Sequence, residues 1–416
     1  MHRASIPAVA AALLFAFGPP AAAQDAPASV EELWEIVQRQ QAEIDALKQQ
    51  LGATREEVAE ASEKVTATEA QLEATGDYLE SFEGGNAGAL AGLSLGGYGE
   101  LHYNNLDADD PAEDLERIDF HRFVLFLGHE FSERIHFFSE LEIEHSLAGD
   151  GAPGEVELEQ AYVNFALDDT TSAQAGLFLL PLGILNETHE PTTFYGVERN
   201  DVESVIIPST WWEAGAALKG QSGNGLSWDV ALHSGLAIPT TGGDAFRVRD
   251  GRQKVAEALA SDPAITGRLK YTGFPGLELA ASYQYQSDPS QVGADGLDTG
   301  HLFTAHAAYQ AGAFGLRALY GSWRFNGPAV EAAGADEQDG WYVEPSYRLN
   351  EQFGVYARYE DLEGASASDR FSQYEAGLNY WPVPGVVLKM DVRSRDFDTL
   401  PGRDFDGFDL GVGYAF

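Results

Sequence analysis

Cysteine is absent from the 416 residues of this chain, which excludes disulfide scaffolds, Cys-zinc sites and thiol catalysis. Basic residues are scarce, because 25 Lys and Arg face 66 Asp and Glu and give a formal net charge of -41. A nucleic-acid partner is excluded, since neutralising phosphates requires a basic face. No apolar run approaches the roughly eighteen residues that a membrane-spanning helix needs. Such a chain can cross a membrane only as a closed β-barrel.

The residues that are abundant favour β-structure. The chain has 45 glycines, 17 tyrosines and 23 phenylalanines against only 2 methionines, and its mean hydropathy is -0.24. This composition is typical of an all-β protein with short alternating strands, and it does not suit a helical membrane protein.

The N-terminus has the pattern of a secretory signal peptide, which we predict over residues 1–23. A short basic start precedes an apolar stretch from Ala8 to Phe17, and Ala21-Ala22-Ala23 offers small residues before the cleavage site. An N-terminal anchor helix is the alternative, but Gly18-Pro19-Pro20 interrupts the apolar stretch too early for it to span a membrane.

A heptad repeat follows, and it predicts an α-helical coiled coil within residues 24–83. A strict seven-residue period favours a left-handed coiled coil of identical chains over one helix on a globular core, because 3.6 residues per turn drifts from seven. The d positions are often polar, which weakens the rod. We favour a homotrimer, and the core residues leave a dimer open. The a positions are Val30, Val37, Ile44, Leu51, Val58, Val65, Leu72 and Leu79, and the d positions are Leu33, Gln40, Leu47, Thr54, Ala61, Thr68, Thr75 and Phe82.

The composition changes at a glycine-rich linker, residues 84–93, and residues 94–416 alternate with the period of β-strands. The last segment is the clearest, because Phe408, Leu410, Val412, Tyr414 and Phe416 share one face and small or polar residues share the other. Such alternation is required of a strand that faces lipid. The predicted fold is an all-β transmembrane antiparallel barrel of about sixteen strands.

The predicted strands are separated by short turns and long connections in strict alternation, which places the short turns in the periplasm and the long loops outside. A soluble sandwich is the alternative, but charges recur on one face of strand after strand, which suits a wet lumen. The strands are predicted near 94–104, 117–131, 133–146, 155–168, 171–180, 210–219, 226–236, 264–272, 276–287, 299–311, 314–326, 339–348, 353–361, 371–382, 385–396 and 405–416.

Charged residues on the inward faces are predicted to form the pore wall, and aromatic residues near strand ends are predicted to form interfacial girdles. The wall residues are Glu140, Glu142, Glu144, Arg268, Lys270, Arg358, Lys389, Arg393 and Arg395. The girdle residues are Tyr320, Trp323, Trp341, Tyr342, Tyr374, Tyr380 and Trp381.

The connection over residues 181–209 mixes aromatic, aliphatic and charged residues. A long connection with its own packing residues is typical of a functional loop, and a sixteen-stranded barrel is too wide for wall side chains to meet. We therefore predict that residues 181–209 fold inward and constrict the channel. The predicted constriction residues are Glu187, His189, Glu190, Glu198, Arg199, Asp201 and Glu203. Five acids against one arginine in the loop predict weak cation selectivity, and the basic residues of the facing wall leave anion selectivity as the alternative.

Two segments resemble a known family. The run Gly176-Leu177-Phe178-Leu179-Leu180-Pro181-Leu182-Gly183, followed by Val197-Glu198-Arg199 and Gly215, resembles conserved segments of the phosphate-selective porin O and P family. The resemblance implies a trimeric sixteen-stranded outer-membrane channel, in some members with an N-terminal coiled coil. Leu179 replaces the lysine of the family's segment, and only Lys219, Lys254, Lys270 and Lys389 follow the heptads.

Other chemistry has weaker support in the sequence. The segment Glu187-Thr188-His189-Glu190 has one histidine and no second at ligand spacing, so we predict a polar pore-lining segment and no metal site. An outer-membrane hydrolase would need a nucleophile and base in a recognisable order, and Ser282, His301 and His306 give none. We predict no catalytic residue and no cofactor.

The sequence thus predicts a passive outer-membrane porin for small hydrophilic solutes, in a Gram-negative cell and with the coiled coil in the periplasm. The predicted partners are two further copies of the chain, membrane lipid and lipopolysaccharide, and peptidoglycan through the coiled coil. A structural tether or adhesin, in which the barrel only anchors the rod, stays open because a diffusion pore needs no rod.

Overall fold

A computed structural model describes residues 92–149, 151–293 and 296–416, together with five positions nearer the N-terminus. The chain divides into two units, Met1–Leu90 and Ala91–Phe416. In the first unit, Trp34, Gln38, Gln41, Asp45 and Lys48 are helical and exposed. The signal peptide, the a and d positions of the heptads and residues 84–91 of the linker lie outside the described residues. Among the described residues, no helix has the length and apolarity to span a membrane.

The second unit is a closed barrel of sixteen antiparallel strands, in which each strand pairs with its neighbours in sequence and β1 pairs with β16. This confirms the predicted all-β barrel and its strand number. The strands are β1 (Leu93–Ala108), β2 (Leu115–Ser132), β3 (Ile135–Glu144), β4 (Val156–Ala166), β5 (Thr171–Leu179), β6 (Trp212–Gln221), β7 (Leu226–His233), β8 (Ala264–Phe274), β9 (Leu277–Gln286), β10 (Thr299–Ala311), β11 (Phe314–Asn326), β12 (Glu337–Arg348), β13 (Phe353–Glu363), β14 (Arg370–Val383), β15 (Val386–Phe397) and β16 (Phe405–Ala415).

Short and long connections alternate around the barrel. Turns as short as residues 275–276 and 384–385 occupy one end, and all the long connections occupy the other. Strand β7 ends at His233, three residues earlier than predicted, because the chain turns into a long connection where Gly235 adopts a φ of +78°. Short helical turns within the long connections are Val202–Ile206, Arg249–Gly251, Pro328–Ala333, Ala367–Asp369 and Pro401–Arg403.

The two faces of the strands differ as the alternation predicts. On β15, Leu388, Met390 and Val392 are exposed on the outside, whereas Lys389 and Asp391 are buried inside the barrel. The girdle prediction is wrong for Trp323 and Tyr342, which are fully buried in the interior. Trp323 lies an odd number of positions from the outward Tyr320, and Tyr342 lies next to the outward Trp341. Side chains at such spacings on a strand point to opposite faces, so both residues point inward.

An apolar core occupies part of the barrel interior, where the sequence predicts a polar lumen. It is built by the connection after β5, the connection after β7 and inward side chains of β10 to β14. Its largest members include Phe178, Leu182, Ile206, Trp211, Leu236, Phe246, Leu302, Trp323, Phe325, Tyr342 and Phe371. These contacts fix the two connections to the wall, because each buried aliphatic or aromatic side chain contributes about 1.5–3 kcal/mol.

Candidate channel constriction

The connection between β5 and β6, residues 180–211, crosses the barrel interior and is called the inward loop below. Its π-helical turn, Val202–Ile206, packs on the opposite wall, where Tyr342 donates a hydrogen bond to Glu203 at 2.9 Å. The buried Glu203 carboxylate also accepts the backbone N–H groups of Ile184 and Leu185, at 2.5 and 2.7 Å. Glu203 thus ties the two halves of the loop together and to the wall.

Polar wall side chains hold the loop backbone. Asp391 accepts the backbone N–H of Val197 and Glu360 accepts that of Asp201, both at 2.7 Å. Lys389 donates to the carbonyl of Gly196, also at 2.7 Å. Hydrogen bonds to charged groups are stronger than neutral ones, so these contacts resist displacement of the loop.

Glycines in the wall make room for the loop. A β-carbon at Gly340 would lie 2.8 Å from Cγ1 of Ile206, and one at Gly413 would lie 2.5 Å from Cβ of Pro191. Real β-carbons do not approach other atoms this closely. The wall therefore needs glycine at both positions for the loop to lie where it does.

A cavity of about 340 Å³ lies between the second half of the inward loop and the wall formed by β1, β2, β15 and β16. We call it the arginine cavity, because six arginines line it against three carboxylates. The arginines are Arg117, Arg122, Arg199, Arg249, Arg393 and Arg395, and the carboxylates are Glu100, Glu198 and Asp201. Only Arg199 belongs to the inward loop, and Arg249 comes from the connection after β7.

Three acids of the inward loop, Glu187, Glu198 and Asp201, have polar partners. Glu187 forms an ion pair with Arg268, and Asp201 forms one with Arg395. Glu198 accepts hydrogen bonds from Asn104 at 2.9 Å and lies 3.1 Å from Nδ1 of His102. Of the carboxylates that line the arginine cavity, Glu100 is itself paired with Arg122 at 2.8 Å.

Three of the cavity arginines have a different environment. Within the described residues, Arg117, Arg199 and Arg249 have no carboxylate at ion-pair distance. Arg199 donates to Thr210 at 3.0 Å, and Arg249 donates to the carbonyls of Ser204 and Ser209 at 3.1 and 2.9 Å. Burial and the charges of Arg252 and Arg199 lower the pKa of Arg249 to about 9, so its guanidinium stays charged at neutral pH. The cavity thus holds three guanidinium groups that have no carboxylate in direct contact.

Several predicted site residues lie behind the loop and not beside the arginine cavity. His189 is buried against Glu140 and Glu159, at 3.1 and 3.7 Å, so it anchors the loop and does not line the pore. Glu142 is buried beneath Arg122, at 3.5 Å.

On the facing wall, Arg358 is buried and pairs with Glu344 at 3.1 Å and Glu375 at 2.5 Å. Lys389 is buried under the loop as well. The loop contacts both side chains, since Arg358 donates to the carbonyl of Glu198 at 3.4 Å and Lys389 donates to that of Gly196. Glu144, Glu190 and Lys270 remain partly exposed, and Lys270 lies 3.7 Å from Glu278.

The residues of a conceivable hydrolase lie apart. Ser282 donates to the carbonyl of Pro181 at 2.8 Å inside the barrel, whereas His301 contacts the hydroxyl of the exposed Tyr283 at 2.7 Å. His306 lies 3.0 Å from Glu278. No nucleophile and base among these three contact each other within the described chain.

Comparison with known proteins identifies the architecture. Residues 235–416 match the family described as Gram-negative porin. Among solved structures, the barrel resembles the anion-selective porin from Comamonas acidovorans, with a TM-score of 0.56, 14% identity and coverage of 78% of this chain and 99% of that chain. The fold is that of a porin.

Two further likenesses agree with this. The outer membrane channel DcaP of Acinetobacter baumannii has a TM-score of 0.54 at 14% identity, with 78% of this chain and 97% of that chain covered. An uncharacterized protein of Aquifex aeolicus (strain VF5) is 29% identical over 345 residues, which cover 75% of this chain and 78% of the relative. The porin match and the porin fold together support an outer-membrane channel for small solutes.

Proposed function

We propose that the barrel is a passive diffusion channel with a preference for small anions, set at the arginine cavity. The observation that carries this proposal is the excess of arginine over carboxylate beside the inward loop, with Arg117, Arg199 and Arg249 unpaired by acid within the described residues. Charge at a narrow, poorly hydrated passage acts more strongly on an ion than charge in a wide vestibule.

This preference is opposite to the one that the composition of the loop predicts. The loop acids carry little free charge because Glu187, Glu198 and Asp201 already contact Arg268, His102 and Arg395. The formal charge of -41 does not decide the matter either. Charges farther than about 8 Å from an ion in solution are largely screened at physiological salt.

The proposal includes the class of solute. Guanidinium groups bind carboxylate and phosphate oxygens in a bidentate manner, so small oxyanions are the solutes that the cavity suits best. The proposal agrees with the resemblance to the phosphate-selective porin O and P family, except that arginines take the place of the missing lysines. The anion selectivity in the name of the Comamonas acidovorans porin agrees with this proposal.

The assembly and location complete the proposal. We infer a homotrimer in the outer membrane of a Gram-negative cell, with membrane lipid around the exposed apolar faces and lipopolysaccharide at the acidic connection between β1 and β2. Export by the signal peptide 1–23 and a periplasmic coiled coil that reaches peptidoglycan belong to the same proposal. The heptads favour a tether as the second function, in addition to the channel.

The reversal potential of the purified protein in a planar bilayer tests the channel proposal. With a tenfold KCl gradient, we expect the reversal potential to have the sign of the chloride equilibrium potential. We also expect phosphate to block part of the chloride current. A reversal potential with the sign of the potassium equilibrium potential would overturn the anion preference. The absence of channels in a correctly folded preparation would overturn the proposal of a channel.

A further inference from the structure

Three side chains that bind metals well meet at the long-loop end of β2 and β3, next to the arginine cavity. Nδ1 of His145 lies 2.8 and 2.9 Å from the two carboxylate oxygens of Asp119, and Nδ1 of His121 lies 3.3 Å from the nearer of them. The three ligand atoms lie within 4.8 Å of one another. Two imidazoles and a carboxylate are a common ligand set for Zn²⁺.

The distances from the two imidazoles to Asp119 are close to those in a tetrahedral site. Zn²⁺ takes nitrogen and oxygen ligands at about 2.0–2.1 Å, so neighbouring ligand atoms in a tetrahedral site lie about 3.3 Å apart. His121 already has this distance to Asp119, and His145 needs to withdraw by about half an ångström. An ion would take the place of the proton that His145 and Asp119 now share in their hydrogen bond.

The local backbone brings the three residues together. The pairing of β1 with β2 shifts register between Glu100 and His102, where His102 pairs with Asp119 and Glu100 pairs with Arg122. Such a bulge re-aims side chains on its strand. His145 follows β3 in the left-handed conformation, with a φ of 54°, which histidine adopts rarely and more readily than branched residues.

The three ligands are partly exposed, and one of them lines the arginine cavity. The side chains of Asp119, His121 and His145 are 12%, 27% and 29% exposed, and His121 lines the cavity itself. A solute ion can therefore reach the three ligands, and water can complete a fourth position as in open zinc sites.

A neighbouring histidine connects this cluster to the inward loop. The ring of His102 stacks on that of His121, with centroids 4.7 Å apart and an angle of 12° between the planes. Nδ1 of His102 faces Glu198 of the loop at 3.1 Å, and Nε2 faces Glu100 at 3.2 Å. Because both nitrogens of His102 have carboxylate partners, the ion belongs with Asp119 and His145 and not with His102.

We propose that Asp119, His121 and His145 form a binding site for a divalent transition-metal ion of the Zn²⁺ class. Imidazole ligands select such ions over Mg²⁺ and Ca²⁺, which prefer oxygen. A bound ion adds positive charge to the wall of the arginine cavity. Because His121 stacks on His102, and His102 contacts the loop acid Glu198, only the side chain of His102 separates the site from that acid. The site does not depend on the proposed anion preference.

Isothermal titration of the untagged, folded protein with Zn²⁺ tests the site. We expect one ion per chain, competition by Co²⁺ and no competition by Mg²⁺. His145→Ala and Asp119→Asn should each raise the dissociation constant for Zn²⁺ about tenfold or more, since each removes one of three ligands. His136→Gln, at a partly exposed histidine outside the cluster, is the matched control and should bind as the unaltered protein does.

A Co²⁺ spectrum of the unaltered protein provides a second measurement that needs no variant to fold. The visible absorption of a tetrahedral Co²⁺ site, lost on addition of Zn²⁺, supports the proposal. Equal Zn²⁺ affinity in His145→Ala, Asp119→Asn and the unaltered protein would overturn it, and so would absence of stoichiometric binding to the unaltered protein. Loss of binding in His102→Gln with retention in His145→Ala would instead place an ion at His102 and Glu198, and would also overturn it.

Discussion

The indole N–H of Trp323 donates a hydrogen bond to the backbone carbonyl of Ile206, at 2.9 Å, in the interior of the barrel. Trp323 belongs to the wall and Ile206 to the inward loop, and both are fully buried. A carbonyl in this apolar core has no water to bind, so it depends on the indole. The inward loop is therefore a fixed part of the barrel interior and not a movable flap.

Substituting Trp323 by Phe tests this dependence. The variant keeps an aromatic ring but leaves the Ile206 carbonyl without its donor, so we expect a loss of about 1–3 kcal/mol in stability. The measurement is thermal unfolding in detergent together with current fluctuations of single channels, which should increase. Trp341→Phe, on the outer face of the next strand, is the control and should lower the melting temperature less, because its indole partner Asp361 is only half-buried. Equal melting of both variants would contradict the role of this hydrogen bond.

Adding a methyl group at Gly340 should displace the loop. The new β-carbon would lie 2.8 Å from Ile206, so Gly340→Ala forces the π-helical turn away from the wall. We expect a lower melting temperature and an altered single-channel conductance. Gly267→Ala is the matched control within a strand, because its β-carbon would meet no atom closer than 3.8 Å. A Gly340→Ala protein that conducts and melts normally would show that the loop tolerates the shift.

Removing unpaired charge from the arginine cavity should change ion selectivity. In the double variant Arg199→Gln and Arg249→Gln, we expect the reversal potential in a KCl gradient to shift toward the potassium equilibrium potential. The reason is that two positive charges without acidic partners are lost. Arg403→Gln is the control, since Arg403 is exposed, does not line the cavity and already lies 3.2 Å from the carboxylate of Glu113. An unchanged reversal potential in the double variant would show that ions pass elsewhere in the lumen.

Removing the heptads tests which part of the chain assembles the oligomer. We expect a variant that begins at Gly84 to remain a trimer in mild detergent, because the polar d positions make the rod too weak to be the main association. Mass measurement by light scattering, with the detergent contribution subtracted, reports the number of chains. A monomeric barrel would assign trimer formation to the coiled coil.

The strand architecture was predictable because each strand carries its own signal. The alternation in Phe408 to Phe416 depends only on the period of two and on lipid outside the barrel, and the structure reproduces it. The girdle prediction failed at Trp323 and Tyr342 because it used their position near strand ends and not the period of two, which directs both side chains inward.

The arginine cavity was not predictable in the same way. Arg122 and Arg249 come from β2 and from the connection after β7, so no local pattern joins them to Arg199. The pairing of Asp201 with Arg395 links residues 194 positions apart, and counting loop acids cannot detect such compensation. The available signal was the inward position of residues on β1 and β2, including His102 and Arg122.

The pairing of β1 with β16 has a consequence for how the protein is made. Gly97 and Phe416 exchange two backbone hydrogen bonds of 2.9 Å, so residues more than three hundred positions apart form the final seam. Until β16 is available, β1 and the last finished strand both present unpaired edges, which favour aggregation. The barrel can therefore close only after the whole chain has been made, and until then its two open edges favour association with other copies.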